Sequence, residues 1–424
     1  VVSAAGVGVD ALWEALLEGR SCVAPITLFD ASEFPCTIAG GIEDFSARKF
    51  VPKHYRKAVK VMARDIELAV AAADLAFRDS GIVTRGIDAD NMTIDPKRLG
   101  CNIGAGLICT DLDELGAAVN TAVSDGKFDQ RAWGASGMNN LTPLWLLKYL
   151  PNMLSCHVTI IHGAEGPSNC ITCGDASALL SIGESTRLIQ QGRADAVIAG
   201  GAESKVNPMG LLRQSLLARL CESSNDSPAT ACRPFDAEHC GTIIGEGGGL
   251  AILEDMDRAA QRGVSVYAEV VGFGAACDPG GMDVRTPNAG NLHLAIDKAL
   301  KDAGITPEQV GLIVAHGTGV AAEDAAESAA WQSVLGQRAV EVPAVAVTGA
   351  IGSLFAGAGG ASVAIAAKAL REGLVPPTVN FDRSSDGCCL NLQRQPLEAG
   401  IEYALCGSFG TGGQSAAMVL RKVQ

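Results

Sequence analysis

The residues best placed for chemistry lie in Thr172-Cys173-Gly174-Asp175, a polar turn that leads into the apolar stretch Ala178-Leu-Leu-Ser-Ile-Gly183. A side chain at position 175 would rest on a helix N-terminus and point into a site. The partial positive charge there favours a carboxylate, and it would lower the pKa of a cysteine. Two readings follow: Asp175 is a functional group, or it is a helix cap. Cys170 and Cys173 form one CxxC. A zinc site would want a second spaced pair or histidine partners, which the sequence does not offer, so no metal is expected.

This turn must be held by a larger frame, and the 424 residues suit two or three domains by length. Hydrophobic residues make up 48%, charged residues 19%, and there are 50 glycines. That composition fits an α/β chain with a large core and many tight turns. A net charge of −14 makes general nucleic-acid binding a poor expectation. No apolar run reaches the about 18–20 residues of a membrane span. The 14 cysteines are scattered and no signal peptide is visible, so free thiols in a reducing cytoplasm are expected. The chain opens on Val1-Val2-Ser3 without methionine, and sequence upstream is expected to be missing.

Residues 11–20 read as an amphipathic helix. Residues 55–80 hold a longer helical pattern ending at Ser80-Gly81, with a basic start that includes Lys53, His54, Arg56, Lys57, Lys60 and Arg64. That cluster is either a solvated face or a docking surface for an acidic partner. Strands are expected at 99–104, 158–161, 194–200 and 249–253, then at 266–274, 310–315, 345–349 and 403–407. Helical segments lie between, such as 291–303 and 361–372. Short apolar runs alternating with helices read as buried parallel strands. The series suggests two similar halves, 1–257 and 258–424, contributing strand-end loops to one site. Gly245-Glu-Gly-Gly-Gly249 and Gly357-Ala-Gly-Gly360 lack nucleotide-loop spacing and are expected to be backbone-packing glycines.

The segment Gly166-Pro-Ser-Asn-Cys-Ile-Thr-Cys-Gly-Asp175-Ala-Ser resembles the active-site segment of the β-ketoacyl synthases, with aspartate where that family carries its nucleophilic cysteine. Other motifs follow in the family's order: Trp13-Glu-Ala-Leu-Leu-Glu-Gly-Arg-Ser21, Ala194-Asp-Ala-Val-Ile-Ala-Gly-Gly-Ala-Glu203, Arg233-Pro-Phe-Asp236, His316-Gly-Thr-Gly319 with Asp324 and Glu327, and Gly407-Ser-Phe-Gly410. The resemblance implies the thiolase fold, two similar βαβ-repeat halves in a five-layer α-β-α-β-α arrangement, with the family's first strand just upstream of Val1. It also implies carrier-borne acyl substrates and acyltransferase chemistry in fatty acid or polyketide synthesis, and calls for no cofactor.

Active members use a cysteine, two histidines and a lysine, the histidines stabilising the negative charge that develops on decarboxylation. Here the first histidine is kept as His316. By the resemblance, Asp175 stands at the nucleophile position, Gly349 at the lysine position, Leu354 at the second histidine and Thr411 at the gating phenylalanine. Cys173 is the nucleophile only if the alignment breaks on both sides of it. An unpaired carboxylate would oppose enolate chemistry.

The pattern resembles the chain length factor of type II polyketide synthases, a non-condensing partner of an active ketosynthase. That resemblance implies a heterodimer with a shared acyl tunnel and visits by an acyl carrier protein. The tunnel residues would lie on a helix at about 111–119, with Leu112, Leu115, Gly116 and Ala117. Lys53, Arg56, Lys57 and Lys60 are candidates for carrier docking. Two other readings remain open: a decarboxylase acting on malonyl-carrier protein, and a homodimeric acyl-binding homologue.

Overall fold

A computed structural model describes residues 1–280 and 291–423. The first sheet is built from β1 (Val2–Ser3), β2 (Gly6–Val7), β3 (Leu99–Gly104), β4 (Ser168–Ile171), β5 (Ala196–Ser204) and β6 (Glu246–Glu254), in the order β2-β1-β6-β5-β3-β4. The second is built from β7 (Glu269–Cys277), β8 (Val310–Ala315), β9 (Pro343–Ala346), β10 (Asn391–Leu392), β11 (Tyr403–Phe409) and β12 (Gln414–Arg421), in the order β7-β12-β11-β8-β9-β10. The pairings correspond: β6 runs antiparallel to β5 as β12 does to β11, and β5-β3-β4 are parallel, as are β11-β8-β9.

Helices α1 (Val9–Leu17), α2 (Arg64–Ser80), α3 (Leu112–Thr121), α4 (Met153–His162), α5 (Ser177–Gln190), α6 (Pro208–Leu216), α7 (Leu292–Ala303), α8 (Ala321–Leu335) and α9 (Ala358–Glu372) complete the frame. α5 and α9 fill the space between the sheets, α2 and α4 cover the outer face of the first, and α7 and α8 that of the second. This is the five-layer α-β-α-β-α arrangement of the thiolase fold. Because both faces of each sheet are covered, strands such as β5 and β11 are buried at every residue and read as continuous apolar runs.

The central layer is thin enough that backbone meets backbone. A Cβ on Gly360 would lie 2.1 Å from the Gly249 carbonyl oxygen, and one on Gly249 would lie 2.4 Å from the Gly360 carbonyl carbon. The glycine runs are therefore packing devices, as expected.

Four expectations need correction. The helix expected over 55–80 starts at Arg64; Met62 and Ala63 are extended, and the basic residues before them sit on or between two short 3₁₀ turns, Lys53–Tyr55 and Ala58–Val61. The run 158–161 lies inside α4, where Leu154, Val158 and Ile161 are buried at helical spacing and Ile160 is 60% exposed. The strand of that region is β4, whose Ser168-Asn169 start is too polar to read as one. Position 349 belongs to a short helix, Thr348–Ile351, after β9 rather than to a strand. Finally, the thiols are not all free. A backbone bridge between Leu220 and Thr242 brings the Cα atoms of Cys221 and Cys240 to 4.8 Å, and a disulfide joins them. The other described cysteines are free. Among the described residues no helix is long and apolar enough to cross a membrane.

Candidate functional site

The site forms where the carboxyl ends of β4, β8 and β9 converge between the two halves. The turn after β4 carries Asp175, and the loop after β8 carries His316. Gly174, with φ of +55°, makes the turn, and Ala176 rather than Asp175 stands at the N-cap of α5. The Asp175 carboxylate caps nothing: its Oδ2 lies 3.1 Å from His316 Nε2. Both side chains are buried, so the carboxylate expected to be unpaired is an ion-pair partner.

Both ring nitrogens of His316 have a partner. Ser408 Oγ donates to the Asp175 carbonyl oxygen at 2.8 Å, which turns its lone pair toward His316 Nδ1, 3.4 Å away. With Nδ1–H donating to Ser408 and Nε2–H to Asp175 the ring would be an imidazolium, the form that a raised His316 pKa favours. Burial alone would lower the His316 pKa, but the hydrogen bond and charge of Asp175 outweigh it and raise the value. For Asp175, burial pushes upward and His316 more than offsets it, holding the carboxyl below its ordinary range. Neither N–H of His316 is left to polarise a substrate carbonyl.

The loop under the histidine is held by two buried carboxylates on α8. Glu327 accepts from the backbone N–H of His316 at 2.7 Å, from Gly317 N–H at 2.9 Å and from Trp331 Nε1–H at 3.1 Å. Asp324 accepts from Thr318 N–H at 2.8 Å and Phe235 N–H at 2.7 Å. Burial still pushes the Asp324 carboxyl up to about 7.

The remaining positions singled out in the sequence offer no chemistry. Leu354 is buried in the apolar layer between the sheets. Gly349 is buried with its Cα against Val379, where a Cβ would meet the carbonyl oxygen at 2.2 Å. Thr411 is exposed on the tight turn that follows β11. Cys173 is half-buried; its N–H donates to Ser177 Oγ at 2.8 Å, and burial pushes its thiol up, the opposite of an activated nucleophile.

Two ion pairs that the sequence did not single out flank the site. Arg219, just after α6, makes a buried bidentate pair with Glu323 (Nε–Oε1 2.8 Å, Nη2–Oε2 2.7 Å) and also donates to Gln214. Lys205 bonds Glu203, whose other oxygen accepts from Ala356 N–H at 2.8 Å. Asp65 lies in the same cluster, accepts from Ser204 N–H, and is pushed up to about 7 by burial and by Glu203. Glu203 ends a quoted motif, but Arg219 carried no signal in one sequence.

The other candidates lie on α3 and around the turns before α2. The helix expected at 111–119 is α3; Leu112 and Ala117 are exposed, Leu115 and Gly116 half-buried, and a Cβ on Gly116 would meet nothing within 4 Å. Lys53, Arg56, Lys57 and Lys60 are all exposed. Arg64 is not part of that surface, because it pairs bidentately with buried Glu246 at 2.7–2.9 Å.

Comparison with known proteins agrees with the architecture. Residues 1–259 match the N-terminal domain of β-ketoacyl synthases, and residues 267–382 match the C-terminal domain. The chain is 33% identical to a Synechocystis protein named 3-oxoacyl-[acyl-carrier-protein] synthase 2, covering 97% of this chain and 94% of that one. It is 32% identical to the ketoacyl synthase alpha subunit of the tetracenomycin polyketide synthase of Streptomyces glaucescens, covering 98% and 94%. Among solved structures, the ishigamide ketosynthase/chain length factor superposes with a TM-score of 0.84 at 26% identity, covering 100% of this chain and 97% of that chain. With domain matches along most of its length, these relatives and the shared fold, the chain belongs to the β-ketoacyl synthase family.

Proposed function

We propose that the chain is a non-condensing ketosynthase-like subunit of the chain length factor type. It pairs with an active β-ketoacyl synthase, contributes to the tunnel that holds the growing acyl chain, and limits that chain's length. The observation that carries this reading is the engagement of His316 on both ring nitrogens by Asp175 and Ser408. With leucine and a packed glycine at the second histidine and lysine positions, and the Cys173 thiol pushed up by burial, the described residues around the pair offer no activated nucleophile. The surrounding loop is nonetheless fully hydrogen-bonded, which favours a scaffold retained for another purpose.

The surface supports a partner. β4 is the edge strand of the first sheet. Beside it, α4 and the Trp145–Tyr149 turn expose Ile160, Leu146 and Leu147, and Leu144 is 75% exposed. α3 is tied to that turn by Glu114, which accepts from Lys148 and Tyr149. An unpaired edge flanked by open apolar side chains is a template for association. The halves 1–257 and 258–424 act here as one unit, with the first presenting this face. Lys53, Arg56, Lys57 and Lys60 form the carrier-docking surface, and Leu112, Leu115, Gly116 and Ala117 the tunnel-limiting helix.

Co-expression with a cysteine-bearing homologue tests the proposal. A one-to-one complex is expected; a stable homodimer that ignores the homologue would count against it. Retention of His316 favours a second reading, decarboxylation of malonyl-carrier protein. Acetyl product formed by the pure chain and abolished by His316→Ala would establish that reading instead.

A further inference from the structure

The Cys221–Cys240 disulfide lies at the rim of the site and is not used by the proposed function. We propose that it is a reducible staple that holds the Arg219 segment against the His316 loop, so that a dithiol reductant loosens one wall of the site.

The connections are short. On one side of the bridge, Thr242 N–H donates to the Arg219 carbonyl at 2.7 Å and Cys221 N–H to the Thr242 carbonyl at 3.0 Å. On the other, Gly241 N–H donates to the carbonyl of Gly319, in the loop that carries His316, at 3.1 Å. The Arg219 guanidinium reaches Glu323 at the start of α8, the helix whose Glu327 anchors the His316 backbone. The bridge spans 19 positions of sequence. Within them Asn225 ties down the chain near Pro35 and Thr37 through its side chain. Besides the crosslink, the two segments are joined by a backbone bridge, Leu220 to Thr242, its flanking bonds and the apolar cluster that Leu220, Cys221 and Ile243 share.

The chemistry is thiol–disulfide exchange. Cys221 is fully buried and Cys240 is half-buried, so Cys240 Sγ is the sulfur open to attack. A thiolate of the reductant bonds to Cys240 Sγ, the S–S bond breaks, and its electron pair leaves on Cys221 Sγ, which takes a proton. The second thiol of the reductant then displaces Cys240 as a thiol, and the reductant departs as a cyclic disulfide.

Hydrogen exchange read by mass spectrometry tests this without reference to activity. On adding dithiothreitol to the full chain, the amides of Cys221, Gly241 and Thr242 and the 316–319 loop should exchange about tenfold faster, while β11 stays protected. Unchanged exchange after verified reduction would overturn the proposal. So would a non-reducing digest of protein purified with its thiols blocked that lacks the Cys221–Cys240 crosslinked peptide. The Cys221→Ala/Cys240→Ala variant should exchange fast at these amides with or without reductant; a reductant response persisting in it would refute the assignment to this bridge. If that variant does not fold, the wild-type reduction decides alone.

Discussion

Gly349 and Val379 are in backbone contact: a methyl group on the Gly349 Cα would sit 2.2 Å from the Val379 carbonyl oxygen. The position is closed by main chain, which side-chain motion cannot clear, and in the function proposed above it is the one the resemblance gives to a lysine. Gly349→Ala should therefore destabilise the fold by about 1–3 kcal/mol, read as a shift of the urea midpoint at unchanged slope. It follows that Asp175→Cys combined with Leu354→His and Gly349→Lys should not regain condensation, as an assay for β-ketoacyl product would show.

The Asp175–His316 pair is buried, so removing one member strands the other. His316→Ala should cost about 3–5 kcal/mol, because the carboxylate is left without a counter-charge. Replacing both by leucine should cost less than His316→Ala alone. Equilibrium denaturation of the two variants side by side checks the order.

The pair also sets a pH window. The His316 pKa is raised on folding, so its contribution is complete below the ordinary value of 6.5 and is lost as pH rises through the folded value. That of Asp175 is depressed, so its contribution is present above 3.8 and is lost as pH falls through its folded value. Asp65 and Asp324 act in the opposite sense: burial raises each to about 7, so their charging erodes stability between 3.8 and about 7. An NMR titration should place His316 above 6.5 in the wild type and lower in Asp175→Asn.

A Cβ on Gly116 would meet nothing within 4 Å beyond its own helix, so Gly116→Phe starts from open space. In the complex with an active ketosynthase it should shorten the products while leaving complex formation intact. Mass spectrometry of the released chains reads the outcome, and an unchanged distribution would remove the tunnel assignment.

Charge reversal at exposed Lys57 and Lys60 should lower product yield by weakening carrier binding, more so at low ionic strength, where surface charges are least screened. Yield that is independent of both substitution and salt would eliminate this surface as the carrier's dock.

Most of the frame was legible because buried parallel strands write themselves as apolar runs: β3, β5, β8 and β11 fall where such runs stand. The misread segment, 158–161, shows the limit of that signal. A short apolar run inside a buried helix has the same composition as a strand, and only the wider spacing from Leu154 separates them. At the site, motif order singled out His316 and Asp175, and the structure brings the two together. The pairing of Asp175 was not legible, since a helix-capping carboxylate and an ion-paired one look alike until Ser408 and His316 are placed beside it. Arg219 and the Cys221–Cys240 bridge depend on contacts across the fold that one sequence does not encode locally.

The contact between Gly249 and Gly360 has a consequence for how the chain can be taken apart. One glycine belongs to the first sheet and the other to the helix leading toward the second, and they touch through main chain alone. Separate expression of the two halves would leave each with a raw backbone seam and half of a shared apolar filling. The two sheets repeat one pairing pattern, while the helices between them share a single apolar filling that neither sheet could bury alone.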